Sequence, residues 1–268
     1  MTQTTYKDPV LKIDPVLKID ALSLLSPDAQ KRAASPKSLH AARFTDLSFT
    51  IKAGVVTAII GPNGAGKSSL LRALTRLESG TTGKIFYADQ ALHSQKPHEL
   101  KDLLSYLPQD KSIFWPVSGW TLLEVGTQIT PQKLTQQQSY YIDQLDLWDL
   151  LDKPITQLSG GEQARLLLTR ALMVPKKILF LDEPTEAMDP YYQIKSMQLI
   201  KSYGIENQAV VLCVMHDLSL VKAHSCQVLA LYKGKKYAHG PTEKTLTDAL
   251  LKDIYRIKTG ENSQFEIL

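Results

Sequence analysis

The 268 residues, 43% hydrophobic and 22% charged, suit one large domain or one domain carrying a small insertion, and they exclude a chain disordered throughout. Net charge is only +4, and residues 1–43 account for +3 of it, with seven Lys/Arg against four Asp. A protein wrapping nucleic acid non-specifically would carry a larger excess on one face, so no nucleic-acid partner is expected.

The first 43 residues read differently from the rest. They contain a tandem hexapeptide, DPVLKI at 8–13 and again at 14–19, then a polar stretch with Pro27 and Pro36. Two copies are too few for a solenoid. A short strand at each copy is open, with Pro9 and Pro15 at edges or turns, but the arm as a whole is expected to be weakly structured. It lacks the apolar core of a secretory signal, and no stretch of the chain approaches the roughly 18 apolar residues of a membrane span. With two cysteines, Cys213 and Cys226, a disulfide scaffold is excluded, and a reducing cytosolic setting is expected. Cys213 lies in the apolar run Val210–Met215, where a buried thiol is the simplest reading.

From Phe44 the pattern becomes α/β. Val55–Ile60 has buried-strand length and composition, Ser68–Leu77 reads as a helix, Gly80–Gly83 as a turn, and Lys84–Tyr87 and Ser105–Leu107 as short strands. Gln109–Leu158 is richer in Gln and in helical patterning, notably at Gln136–Trp148, and lies between strand-rich halves like an insertion. Ile178–Leu181, Ala209–Met215 and Val228–Tyr232 are further apolar runs separated by helical segments. Strands alternating with helices predict a mostly parallel sheet covered on both faces.

Between the first apolar strand and its helix stands Gly61-Pro62-Asn63-Gly64-Ala65-Gly66-Lys67-Ser68, the pattern G-x-x-x-x-G-K-[ST] followed by Ser69. Small residues let successive main-chain N–H groups turn inward around a phosphate, and the helix behind them adds its positive end. Lys67 supplies a cation for β- and γ-phosphates, and the Ser68 hydroxyl suits Mg²⁺. Ile178-Leu-Phe-Leu-Asp182-Glu183 is a strand ending in two carboxylates, Asp182 suited to a metal shell and Glu183 to polarising water. Leu158-Ser159-Gly160-Gly161-Glu162 opens a helical run from Gln163 to Met173; its amides are free to approach an anion, but taken by itself it reads first as a plain capped helix, since Ser-x-x-Glu fits a capping box.

Together these motifs, in this order and with His216 after a strand, resemble an ATP-binding cassette (ABC) ATPase over about residues 44–260. The resemblance implies a P-loop NTPase of the ABC type: a mostly parallel α/β core, an inserted helical subdomain and an N-terminal antiparallel β part. Residues 44–108 and 171–268 would form the ATP-binding core and 109–170 the helical subdomain with the signature motif. It implies ATP and Mg²⁺ as cofactors, with residues 61–69 around the phosphates and Ser68, Gln109 and Asp182 around the metal. Glu183, His216, Lys67 and Gln109 would carry hydrolysis. Ser159, Gly160, Gly161 and Asp189 would reach a nucleotide on a second cassette, in a homodimer or a pair with a related cassette.

Three departures from the family pattern stand out. Between Tyr6 and Phe44 there is no Phe, Tyr or Trp to stack on adenine, and His40 is the one ring in that window. Glu186 and Met188 occupy positions where the family more often has Ser and Leu, and the signature ends in Glu162 rather than Gln. The stretches YLPQD…WPVSGWTLLEVG and HDLSLVKAHSCQVLALYKGKKYAHGPTEKTLTDALLKDIY look like importers of metal chelates: ferric siderophores, haem or cobalamin. That implies a separate membrane permease, a substrate-binding protein, and a peripheral position on the cytoplasmic face of the membrane. Trp115 and Trp120 lie where the family's groove receives the permease, with burial in the subdomain as the alternative. Gly126-Thr127 replaces a frequent Gly-Arg and leaves the subgroup open. A soluble ABC ATPase of a cytosolic assembly, such as iron–sulfur cluster biogenesis, is the other reading.

Overall fold

A computed structural model describes residues 16–25, 42–111, 113–259 and 265–267. Its centre is a six-stranded sheet in the order β10-β9-β3-β8-β7-β6. These strands are β3 (Val56–Ile60), β6 (Leu104–Leu107), β7 (Ile178–Asp182), β8 (Val210–Val214), β9 (Gln227–Tyr232) and β10 (Lys235–Pro241). All pair in parallel except β10, which runs antiparallel on the edge.

The apolar runs are continuous because both faces of this sheet are covered. In β8, Val211 and Cys213 point into one core while Val210, Leu212 and Val214 point into another; in β7, Leu179 and Leu181 part from Ile178 and Phe180 in the same way. The period of two sorts neighbouring residues to opposite faces, and each fully buried Val, Leu or Ile contributes about 1.5–3 kcal/mol relative to exposure. Cys213 is part of that packing, and Cys226 is exposed.

Helix α1 (Lys67–Leu74) follows β3 and packs into the second core, beneath a separate antiparallel sheet, β2-β1-β4-β5. That sheet contains β1 (Val16–Leu25), β2 (Ala42–Lys52), β4 (Thr81–Tyr87) and β5 (Gln90–Ala91). The arm expected to be weakly structured is thus, at Val16–Leu25, a strand paired on both sides, with β2 and β4. A bulge at Ala21, whose φ is 50°, explains why alternation did not reveal it. Leu17 and Ile19 are buried, the phase slips by one residue, and then Leu22 and Leu24 are buried. The second hexapeptide copy feeds β1 from Val16; the first copy, like His40, lies outside the described residues. β4 also begins earlier than expected, at Thr81, inside the anticipated turn.

Between β6 and β7 come α2 (Gly119–Glu124), α3 (Gln136–Gln144) and α4 (Gly160–Leu172), all packed into the first core. The expected boundary between residues 170 and 171 falls inside α4, so that helix leads directly back to the sheet. Arg165, buried in α4, donates to the carbonyls of Leu145 and Asp146 and lies 3.9 Å from the Tyr192 ring centroid, fastening the helical segment. The chain continues through α5 (Pro190–Asn207), α6 (Leu218–His224), α7 (Thr242–Thr245) and α8 (Asp248–Tyr255) to a small pair of strands, β11 (Ile257–Thr259) and β12 (Phe265–Ile267). No helix among the described residues is long and apolar enough to cross a membrane.

Candidate active site

Because β3, β8, β7 and β6 run in parallel, their C-terminal ends share one edge, the usual place for a ligand in such sheets. The P-loop leaves β3 there, His216 follows β8, Asp182 and Glu183 end β7, and Gln109 follows β6. One open cavity of about 550 Å³ is lined by Asn63, Gly64, Gly66, Lys67, Ser68, Ser69, Gln109, Glu183, Glu186 and His216.

The P-loop geometry follows from its glycines. Gly66 is the N-cap of α1 with φ 99°, and a Cβ there would lie 3.0 Å from the Arg43 carbonyl. It offers no capping side chain, so the first amides of α1 remain for an anion. Lys67 folds back, its Nζ donating to the carbonyls of Gly61 at 2.8 Å and Pro62 at 3.2 Å. Burial holds this ammonium below the usual lysine range, while Glu183 and Asp182 pull it back up. Ala65 is packed in the core, and Arg43 donates weakly to Ser69 at 3.4 Å.

Across the loop, Ser68 Oγ donates to Asp182 Oδ1 at 3.1 Å and lies 3.5 Å from Gln109 Oε1. Burial pushes the Asp182 carboxyl above its usual range, against the opposing Ser68 hydrogen bond. Three oxygen atoms from three elements therefore converge, a donor set that fits a hard cation such as Mg²⁺. Glu183 has the left-handed φ of 52°, and its carboxylate Oε1 accepts from Gln109 Nε2 at 3.0 Å and faces His216 Nε2 at 2.8 Å. A non-glycine residue held in that conformation at a functional edge is backbone strain maintained by its surroundings.

The signature residues sit elsewhere. Ser159, Gly160 and Gly161 line a second cavity of about 440 Å³ with Glu162, Arg165, Ala187, Met188, Asp189 and Tyr192. The capping box is complete: the Ser159 amide donates to Glu162 Oε2 at 2.7 Å, and the Glu162 amide donates to Ser159 Oγ at 3.3 Å. That hydrogen bonding to Ser159 holds the Glu162 carboxyl below its usual range. Asp189 similarly caps α5, accepting from the Tyr192 amide at 3.1 Å. Gly161 is required by close approach, since a Cβ would lie 2.8 Å from the Ala187 carbonyl. Met188 is buried against Ser196, which accounts for a thioether at this position.

Of the two tryptophans, Trp115 is 76% exposed beside Phe114 at 85%, whereas Trp120 is half-buried against the core and tilted against Trp148. Phe44 is fully buried and is no platform for a base. Two contacts had no signal in the sequence. Lys111 Nζ donates to the Glu183 carbonyl at 2.6 Å, and the Gly61 amide donates to the Tyr255 hydroxyl at 2.7 Å. Burial pushes the Tyr255 phenol up to about 12, so it remains a neutral hydroxyl.

Residues 44–186, more than half the chain, match the family model described as ABC transporter. The chain belongs to the ABC transporter family. As an ABC cassette it binds ATP, and the cassettes of this family are ATPases. It is 33% identical to the hemin import ATP-binding protein HmuV of Vibrio anguillarum over 224 residues, 81% of this chain and 86% of that protein. It is 34% identical to the protein of the same name from Escherichia coli over 228 residues, 81% and 88% of the two chains. The fold matches that of the ATP-binding cassette MJ0796, solved as a dimer in a post-hydrolysis state with ADP and Pi. The TM-score is 0.71 at 21% identity, covering 84% of this chain and 98% of that one. It also matches cbiO1 from Clostridium perfringens, part of the ABC transporter complex cbiONQ, with a TM-score of 0.68 at 22% identity over 86% and 90%.

Proposed function

We propose that this ABC cassette is the ATP-hydrolysing subunit of an importer that takes up a metal chelate through a separate permease, with haem the foremost candidate. The observation carrying the hydrolytic part is the Glu183 carboxylate, fixed between Gln109 and His216 at the mouth of the cavity that holds Lys67 and Ser68. The import part rests on resemblance to the hemin import ATP-binding proteins over four-fifths of the chain.

In this reading the amides of residues 63–69 and the α1 N-terminus bind the β- and γ-phosphates of ATP. Lys67 exchanges the Gly61 and Pro62 carbonyls for phosphate oxygens. Ser68, Gln109 and Asp182 would hold Mg²⁺, which supplies neutralisation of the phosphate charge. Glu183 orients a water for in-line attack on the γ-phosphorus and takes its proton, and His216 stabilises the charge that develops. Ser159, Gly160, Gly161 and Asp189 do not line the cavity that holds Lys67 and Ser68, so a second cassette provides these groups to the nucleotide, most simply in a homodimer.

Residues 109–170 serve as the subdomain that faces the permease, on a core of 44–108 and 171–268. A groove of about 360 Å³ between β6 and α4, bounded by Leu104, Ile113, Gly126, Thr127, Leu167 and Arg170, suits a permease helix, and the two residues that follow Ile113 in the chain, Phe114 and Trp115, are exposed. The cassette is then peripheral to the cytoplasmic face of the membrane, and a substrate-binding protein delivers the cargo.

The test is recovery of tagged Glu183→Gln protein from detergent-solubilised native membranes, with mass spectrometry of what co-purifies. A polytopic permease is the expected partner, and its pathway would narrow the cargo. Recovery of soluble proteins alone would end the importer reading and leave a cytosolic assembly ATPase.

A further inference from the structure

We infer that Lys111 is a positioning residue for Glu183, holding the main-chain turn that aims the carboxylate. The inference rests on the reading of Glu183 given above. The Glu183 carbonyl has two donors: the Glu186 amide at 3.2 Å, inside its own turn, and Lys111 Nζ at 2.6 Å, from a segment 72 positions away. Gln109, two residues before Lys111, donates to the other end of the same residue, the Glu183 carboxylate, at 3.0 Å. One short segment after β6 therefore grips Glu183 by both main chain and side chain.

The grip matters because Glu183 sits in the left-handed region, which a residue bearing a side chain leaves readily unless it is held. The Glu183 amide is fixed to the Val214 carbonyl at 3.2 Å and its carbonyl accepts from the Glu186 amide at the same distance, so Lys111 adds the shortest of the holds on its main chain. A charged donor suits that task, since hydrogen bonds to ionised groups are roughly twice as strong as neutral ones. Lys111 also borders two spaces at once. It lines the groove with Leu104, Gly126 and Arg170, and on its other side a cavity shared with Gln109, Gly160 and Glu186. No other lysine among those lining the groove, Lys101 and Lys176, has a hydrogen bond to the hydrolytic residues.

The experiment is steady-state ATP hydrolysis by the full chain, with ATP affinity measured separately by calorimetry, for wild type, Lys111→Met, Lys111→Arg and the reference Glu183→Gln. Loss of aim predicts that Lys111→Met lowers kcat about 10- to 100-fold, as a small misplacement of a reacting group does. KM and ATP affinity should stay within about twofold of wild type, the mark of an interaction that acts on the reaction and not on binding. Lys111→Arg, which keeps a charged donor, should recover a large part of kcat. A wild-type kcat for Lys111→Met, or a loss expressed wholly in KM, overturns the inference. If Lys111→Met does not fold, Lys111→Leu, which also lacks a donor, reads the same split. Hydrolysis by Glu183→Gln at the wild-type rate would instead remove the reading of Glu183 itself, and the role of Lys111 with it.

Discussion

The starts of α1 and α4 are both glycine-rich helix N-termini, yet they are built on opposite plans. At α1 the cap is Gly66, which has no side chain to give, and the polar groups nearby reach across the fold: Ser68 to Asp182, Gln109 to Glu183, Glu183 to His216. At α4 the cap is Ser159, and its partner Glu162 is three residues away, so the helix end is satisfied within one turn. The first arrangement stores cost, with a buried lysine and a buried carboxylate both displaced from their usual ionisation by burial. The second stores none. A site that acts on its own substrate is assembled from distant strands and held under strain. On the function proposed above, the surface at α4 acts on a partner's substrate, and an ordinary, stable helix start is enough for that.

Four substitutions bear on that contrast, taken from the largest effect downward, and a fifth, Lys67→Ala, serves in a mixture with one of them. Glu183→Gln should lower kcat about 10²- to 10⁴-fold, the usual worth of a positioned acid–base group, while ATP affinity survives. Single-turnover phosphate release read beside calorimetric binding would reveal whether chemistry alone is lost. Gly161→Ala tests the other helix. Its Cβ would press on the Ala187 carbonyl at 2.8 Å, so hydrolysis should fall severely while one chain's own affinity for ATP is unchanged. Mixing this variant with Lys67→Ala should restore activity above that of either alone, since one composite site then has an intact P-loop and an intact signature. Absence of recovery would mean that the two helix starts do not meet across a dimer.

Tyr255→Phe comes next. It leaves the Gly61 amide without its acceptor, a loss of about 1–3 kcal/mol for a buried donor. The melting temperature should fall, and the ATP dissociation constant rise several-fold, because the amide belongs to the first residue of the P-loop. An unchanged melt with unchanged affinity would place the Gly61 amide in contact with water. The smallest effect is expected from Ser159→Ala, about 1 kcal/mol for a lost N-cap, or ~2–4 °C in a thermal melt of a domain this size. If it abolished ATP binding by the single chain, α4 would be part of that chain's own site, and the contrast between the two helix starts would collapse.

Much of this was legible before any fold was known. β3, β7, β8 and β9 announced themselves because both faces of the central sheet are covered, so each is a continuous apolar run with no polar alternation. The P-loop, Ser159–Glu162 and Asp182-Glu183 were legible because each is local, its geometry imposed by adjacent residues on one strand end or helix start. β1 was obscured by its bulge, which breaks alternation at Ala21 and leaves two short half-patterns in a polar setting. Trp115 and Trp120 looked alike, yet Ser118 caps α2 between them and turns Trp120 toward Trp148 and the core while Trp115 stays outside.

What the amino-acid order determined by itself is the family, the alternation of strands with helices, and the chemical kinds of group at each strand end, because those depend on residue type and short spacing. The tertiary structure decided which of those groups meet. Parallel pairing brings the ends of β3, β6, β7 and β8 to one edge, closing Ser68 onto Asp182 and Gln109 onto Glu183 over separations of 114 and 74 residues. The same edge admits Lys111 and Tyr255, whose partners no period or spacing could have named, since a contact across 72 or 194 residues is fixed by how the sheet is ordered and not by the residues between.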